Sequence, residues 1–166
     1  MQTRDAAVAG LIQARRSAFE QHRADAMRLL ESGHAYRDFN TAADLERLRA
    51  ESKARGETFS FNWRYAELAP DELQQRLDAG TPFAIRFRVP EGETAWDDLV
   101  HGHIAFPNKD IEDFVVLRAD GTPVYNHAVV SDDIAMRISL VMRGDDHISN
   151  TPKQILLYRA LGAPLP

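Results

Sequence analysis

Apolar and polar positions change period twice along this chain. Residues 5–32 place Leu11, Ile12, Phe19, Met27, Leu29 and Leu30 among alanines and charged residues, which predicts a long helix stopped at Ser32-Gly33. Thr41 opens a second helical run, AADLERLRAESKAR, with Leu45 and Leu48 on one face and Gly56 at its end. Pro70 opens a third, DELQQRLDA, stopped by Gly80. At residues 83–89 the period becomes two. Phe83, Ile85, Phe87 and Val89 alternate with Ala84, Arg86 and Arg88, as in a strand with one buried face. Short strands are expected near 99–106 and 112–118, then a turn at Ala119-Asp120-Gly121 with Thr122–Asn126 pairing back as a hairpin partner. AVVSDDIAMR fits either a strand or a helix. ISLVMR, 138–143, reads as a short buried strand, and Thr151-Pro152 starts a last helix.

Two textures result: helices followed by antiparallel strands over roughly 36–118, and a strand–loop–helix unit over roughly 122–162. The loop of that unit carries Arg143, Gly144, Asp145, Asp146 and His147. In open α/β sheets ligands bind beyond the carboxyl ends of strands, and a helix start offers N–H groups to an anion. Arg143 suits a planar carboxylate, and Asp145 and Asp146 suit hydroxyl or amino hydrogens or a magnesium ion. The same residue types also serve as helix caps and as surface ion pairs, and spacing does not separate the readings.

Composition narrows the class without choosing between them. The chain has 166 residues, 44% hydrophobic and 27% charged, enough for one packed domain or two small ones. No apolar run reaches membrane-spanning length and nothing reads as a signal peptide, so a cytoplasmic setting and no membrane partner are expected. Without cysteines, disulfides and thiolate metal sites are excluded. The net charge of −5 argues against a non-specific nucleic-acid binder, although residues 1–60 net +1 and leave room for a local basic surface. Trp63, Tyr65, Phe59 and Phe61 could stack on a nucleotide or pack a small core. Arg86 and Arg88, on the outer face of the strand, are expected to be solvated, and His101 and His103 to be surface histidines. Asp132-Asp133 reads as structural or as a loop anchor.

RGDDHISNTPKQILLYRALG resembles a segment of bacterial glutamate–tRNA ligases, and three further stretches resemble that family in order: LLESGHAYRDF, IRFRVPEGETAWDDLVHG and DFVVLRADGTPVYNHAVVSDDIAM. Several long motifs in family order are far more specific than one short pattern. The resemblance implies a class I aminoacyl-tRNA synthetase, which activates glutamate with ATP and magnesium and then esterifies a tRNA. It also implies a fold class: α/β with an α+β insertion, the second half of a Rossmann-like catalytic domain plus its acceptor-binding insertion. On this reading residues 1–35 join a missing first half. Residues 36–112 are the insertion that grips the acceptor end of the glutamate tRNA, and 113–166 are the second half of the nucleotide fold. Tyr125, in TPVYN, matches a tyrosine lining the glutamate pocket. Arg143 matches the arginine that pairs with a substrate carboxylate, and Gly144, Asp145, Asp146 and His147 fall where the family meets ATP. Val129 lies where some relatives carry a polar contact to glutamate.

The departures are as informative. Neither class I signature is present: no His-Ile-Gly-His motif follows a first strand, and Lys53, Lys109 and Lys153 lie in no Lys-Met-Ser-Lys-like motif. Those groups stabilise charge as pyrophosphate leaves, so the chain alone is expected to be an inactive internal fragment. It is expected to associate with, or depend on, the remainder of a synthetase. The alternative is a non-catalytic tRNA- or protein-binding module. Where some relatives hold zinc, this chain has Asp38, Asn40 and Tyr65, so no zinc is expected.

Overall fold

The computed structural model describes the backbone of residues 2–166. The side chains of residues 1–13 and of Arg15 lie outside the described residues, Leu11 and Ile12 of the expected apolar face among them. Helix α1 (Gln2–Glu31) leads into strand β1 (Ala35–Asp38), helix α2 (Ala42–Ala54), a 3₁₀ turn (Trp63–Ala66), helix α3 (Pro70–Asp78), strand β2 (Ala84–Phe87), strand β3 (Glu93–Asp98), strand β4 (Gly102–Pro107), strand β5 (Phe114–Leu117) and helix α4 (Tyr125–Met136). A 3₁₀ segment (Asp145–Asn150) and helix α5 (Thr151–Ala160) complete it.

Local chemistry explains several boundaries. Thr41 caps α2 with a reciprocal capping box: its hydroxyl oxygen accepts from the Asp44 amide, and the Asp44 carboxylate accepts from the Thr41 amide. Gly33 ends α1 in a left-handed conformation at φ 78°, which costs glycine no Cβ clash. Pro70 and Pro152 stand in the first turns of α3 and α5, where a missing N–H costs nothing.

The strands form an antiparallel three-stranded sheet, ordered β1-β2-β5, and a separate β3–β4 hairpin. One core lies between that sheet and α1, α4 and α5. Ala26 and Leu29 of α1 meet Ile85 and Phe87 of β2, Val116 of β5, Val130 of α4 and Leu157 of α5. Sheet and core thus draw on all three expected segments of the chain. The buried stripe of α1, His22, Asp25, Ala26 and Leu29, follows helical spacing but is half polar, while Met27 is 38% exposed. Its polar members face α4. A His22 ring nitrogen lies 2.8 Å from the Asp132 carboxylate, Ser131 donates to Asp25 at 2.7 Å, and His127 Nε2 donates to the His22 carbonyl at 2.8 Å.

Five expectations are corrected. ISLVMR forms no strand: Leu140 and Met142 are 59% and 90% exposed, and residues 138–144 pair with no neighbour. Strand formation depends on a partner, and this apolar run has none among the described residues. The Arg143 loop therefore does not sit at the carboxyl end of a paired strand. Arg86 is buried rather than solvated, because both faces of β2 are covered: Ile85 and Phe87 enter the core on one face, while Arg86 meets Asp38 and the Phe61 ring on the other. The strand expected near 99–106 is β4, which begins at Gly102. Leu99 and Val100 sit exposed in the turn before it, and its partner β3 was not anticipated. The hairpin partner expected at 122–126 reduces to one bridge, Leu117 to Pro123, after which α4 begins at Tyr125. Strand β1 was likewise not anticipated. AVVSDDIAMR falls in α4 up to Met136, and Arg137 closes it in a left-handed conformation at φ 55°.

Candidate substrate-binding site

The Arg143 loop runs from the end of α4 to the start of α5 across the foot of the β3–β4 hairpin. A cleft of about 680 Å³ opens there, lined by Ala95–His101, Leu140–Asp145 and the α5 side chains Gln154, Ile155 and Tyr158. Arg143 lines it half-buried, and its hydrogen bond among the described residues runs from Nη1 to Gln154 Oε1 at 2.6 Å. The other guanidinium donors have no hydrogen-bond partner among the described residues. That fork is always charged and matches a carboxylate in two bonds.

Gly144 makes room for the side chain of Asp146. A Cβ there would stand 2.6 Å from Asp146 Oδ1, so a larger residue would make this exposed carboxylate swing away from the turn. Asp145 reaches the hairpin instead, 3.1 Å from His101 Nε2. This partner's hydrogen bond and charge raise the His101 pKa above its ordinary value. Asp146 Oδ2 lies 3.6 Å from His147 Nε2. Tyr158, beneath the loop, donates to Asp133 at 3.2 Å. Burial, followed by the Asp133 charge, pushes its phenol well above the usual range.

The structure brings together Arg143, Gly144 and Asp145 as cleft-lining residues. Asp146 and His147 lie on the adjoining 3₁₀ turn, outside the lining, and Tyr125 is 57% exposed at the first turn of α4. What joins Tyr125's neighbourhood to Arg143 is Gln154, whose Nε2 donates to Asn126 Oδ1 at 3.0 Å. Asn126, Asn150 and Gln154 were not singled out from sequence. The available signal was their place inside TPVYN and NTPKQ. Val129 is half-buried in α4.

The remaining candidates resolve into packing. Phe59, Phe61 and Tyr65 form a ring cluster with centroids 5.5–6.3 Å apart. Trp63 carries Arg64 at 4.9 Å and Arg88 at 4.5 Å from its ring centroid. His103 is exposed and 2.9 Å from Asp97. Asp38, Asn40 and Tyr65 do meet in space. The Asn40 amide donates to Asp38 Oδ1 at 2.7 Å and to the Tyr65 carbonyl at 3.0 Å, while Arg86 holds Asp38 Oδ2 at 2.8 Å. A carboxylate already paired with a guanidinium and an amide nitrogen do not fit a zinc ion. For magnesium, the exposed carboxylates of Asp145 and Asp146 fit its habit of binding through one or two carboxylates plus nucleotide phosphates, where the ion neutralises phosphate charge.

Residues 11–166 match the family model for tRNA synthetases class I (E and Q), catalytic domain. The chain belongs to that family. It is 48% identical to the glutamate–tRNA ligase of Coprothermobacter proteolyticus over 84% of this chain and 30% of that relative. It is also 48% identical to the glutamate–tRNA ligase of Aquifex aeolicus, over 89% of this chain and 32% of the relative. The chain thus spans about a third of the length of these ligases. Among solved structures, the glutamate–tRNA synthetase of Elizabethkingia anophelis superposes with a TM-score of 0.83 at 29% identity, covering 89% of this chain and 32% of that one. A glutamate tRNA ligase of Elizabethkingia meningosepticum, solved in complex with its amino acid, gives 0.83 at 29%, over 93% and 32%. The fold is that of a class I catalytic-domain portion, mixed helix and sheet. No helix of the described residues is long and apolar enough to cross a membrane.

Proposed function

We propose that this chain carries the carboxylate-binding part of a glutamate–tRNA ligase site and that, by itself, it binds without completing catalysis. Arg143 holds a carboxylate of glutamate and Tyr125 lines the glutamate side. Gly144, Asp145, Asp146 and His147 face ATP with its magnesium, in a cytoplasmic setting. Residues 36–112 meet the tRNA acceptor end, and 113–166 form the second half of the nucleotide fold. The observation that carries the reading is Arg143. It lines the cleft with one nitrogen held by the buried Gln154, and the rest of its fork has no partner among the described residues. The absence of both class I signatures from these residues supports binding over turnover.

The test is ATP–pyrophosphate exchange by the purified chain with glutamate, magnesium and tRNA, beside glutamate binding by calorimetry. No exchange is expected, together with glutamate binding that Arg143→Ala removes. Exchange that Arg143→Ala abolishes would overturn the binding-only part, and glutamate binding indifferent to Arg143 would overturn the site. A second reading, a tRNA- or protein-binding module, draws support from the exposed Leu99, Val100, Leu140 and Met142 around the cleft. The remainder of a synthetase is its natural partner. Salt-dependent tRNA affinity separates the RNA form of this reading from the protein form.

A further inference from the structure

Arg143 begins a run of side-chain amides. Its Nη1 donates to Gln154 Oε1 at 2.6 Å, and Gln154 Nε2 donates to Asn126 Oδ1 at 3.0 Å. Asn126 Nδ2 donates to Asn150 Oδ1 at 3.5 Å, and Asn150 Nδ2 faces His147 Nδ1 at 3.4 Å. A guanidinium only donates, so it fixes which end of the Gln154 carboxamide faces it. Each later amide is then fixed in the same sense. The last acceptor is His147 Nδ1, which places the imidazole proton on Nε2, the nitrogen nearer Asp146. Gln154 is 4% exposed, so water does not replace its partners.

We propose that Gln154 is the positioning residue for Arg143. It sets the guanidinium plane that receives a carboxylate and, through Asn126 and Asn150, ties that plane to the start of α4 beside Tyr125 and to His147. The inference rests on the reading of Arg143 as the carboxylate-binding residue. A neutral amide is the group this task needs. It orients Arg143 without neutralising it, whereas a carboxylate at 154 would occupy the fork and could not donate to Asn126. The restraint weakens with distance from Arg143, since the first two bonds are short and the last two long.

The experiment is nitrogen-detected NMR of the full chain, with the Arg143 guanidinium signals assigned through Arg143→Lys and the His147 tautomer read from its ring nitrogens. The wild type is expected to show slowed rotation at Arg143 Nη1 and an unprotonated His147 Nδ1. Gln154→Met frees the guanidinium and weakens glutamate binding about tenfold, the scale of one hydrogen bond to a charged group. Gln154→Glu keeps Arg143 restrained yet loses glutamate binding by more, because the new carboxylate competes for the fork. Asn126→Ala leaves Arg143 restrained and releases the His147 tautomer, which tests the relay even if Gln154→Met fails to fold. An Arg143 that rotates freely in the wild type, or signals identical in wild type and Gln154→Met, overturns the proposal. A restrained Arg143 in a chain without glutamate affinity refutes the glutamate reading and leaves the positioning role standing.

Discussion

Two arginines of this chain meet carboxylate chemistry in opposite ways. Arg86 is closed off. It is 7% exposed, holds Asp38 through Nε and Nη2 at 2.9 and 2.8 Å, gives Nη1 to the Asp113 carbonyl at 2.9 Å, and lies 3.9 Å over the Phe61 ring. Around it Tyr36 donates to the Asp113 carboxylate at 2.9 Å, and burial raises both of their pKa values above the ordinary range. Arg143 is left open, with one nitrogen bonded and the rest facing a cleft. The same side chain is a structural lock where every donor is used inside the protein and a binding group where the protein uses only enough donors to aim it.

The sharpest way to break that comparison is the same substitution at both sites. Arg86→Met leaves Asp38, 3% exposed, as an uncompensated buried charge, and should cost about 3–5 kcal/mol of unfolding free energy. Arg143→Met removes one bond at a half-buried loop position and should cost about 1 kcal/mol. Urea denaturation of the two variants measures the difference. Equal losses would mean that Arg143 is as structural as Arg86 and would remove the ground for assigning it a ligand.

What the sequence made legible follows from the range of each interaction. The α2 cap was readable because Thr41 and Asp44 stand three residues apart, and the period at 83–89 announced β2. The burial of Arg86 was not readable: the second face of β2 is covered by Phe61 and by a partner, Asp38, that lies 48 positions away. ISLVMR read as a strand because its composition fits one, but a strand exists only where another pairs with it. The family was legible because long motifs recur in order. Gln154 was not, since a glutamine in QILLYRAL looks like an exposed helical residue until the fold sets it beneath Arg143.

A smaller effect sharpens the contrast between the closed sheet and the open loop. Leu140 and Met142 are 59% and 90% exposed, so Leu140→Ser with Met142→Ser should change stability by no more than about 0.5 kcal/mol. The same pair of changes should lower concentration-dependent association measured by sedimentation, because an unpaired apolar run is a template for another chain. A large stability loss with no change in association would show that the run is buried in solution and that the loop is not open at all.

The smallest effect lies in how the open loop is tethered. His101 Nε2 and the Asp145 carboxylate are 3.1 Å apart, both side chains are exposed, and the pair raises the His101 pKa. A histidine whose folded pKa is raised contributes its tether fully below the unfolded value of about 6.5, and the tether is lost as pH rises through the higher folded value. The loop should therefore be held to the β3–β4 hairpin in mild acid and released as pH rises through the raised His101 value. Proton NMR titration of His101 should show a midpoint above that of a free histidine, returning to it in Asp145→Asn, with global stability nearly unchanged because the pair is solvent-screened. A His101 midpoint unmoved by Asp145→Asn would place the loop's restraint in Arg143 and Gln154 alone.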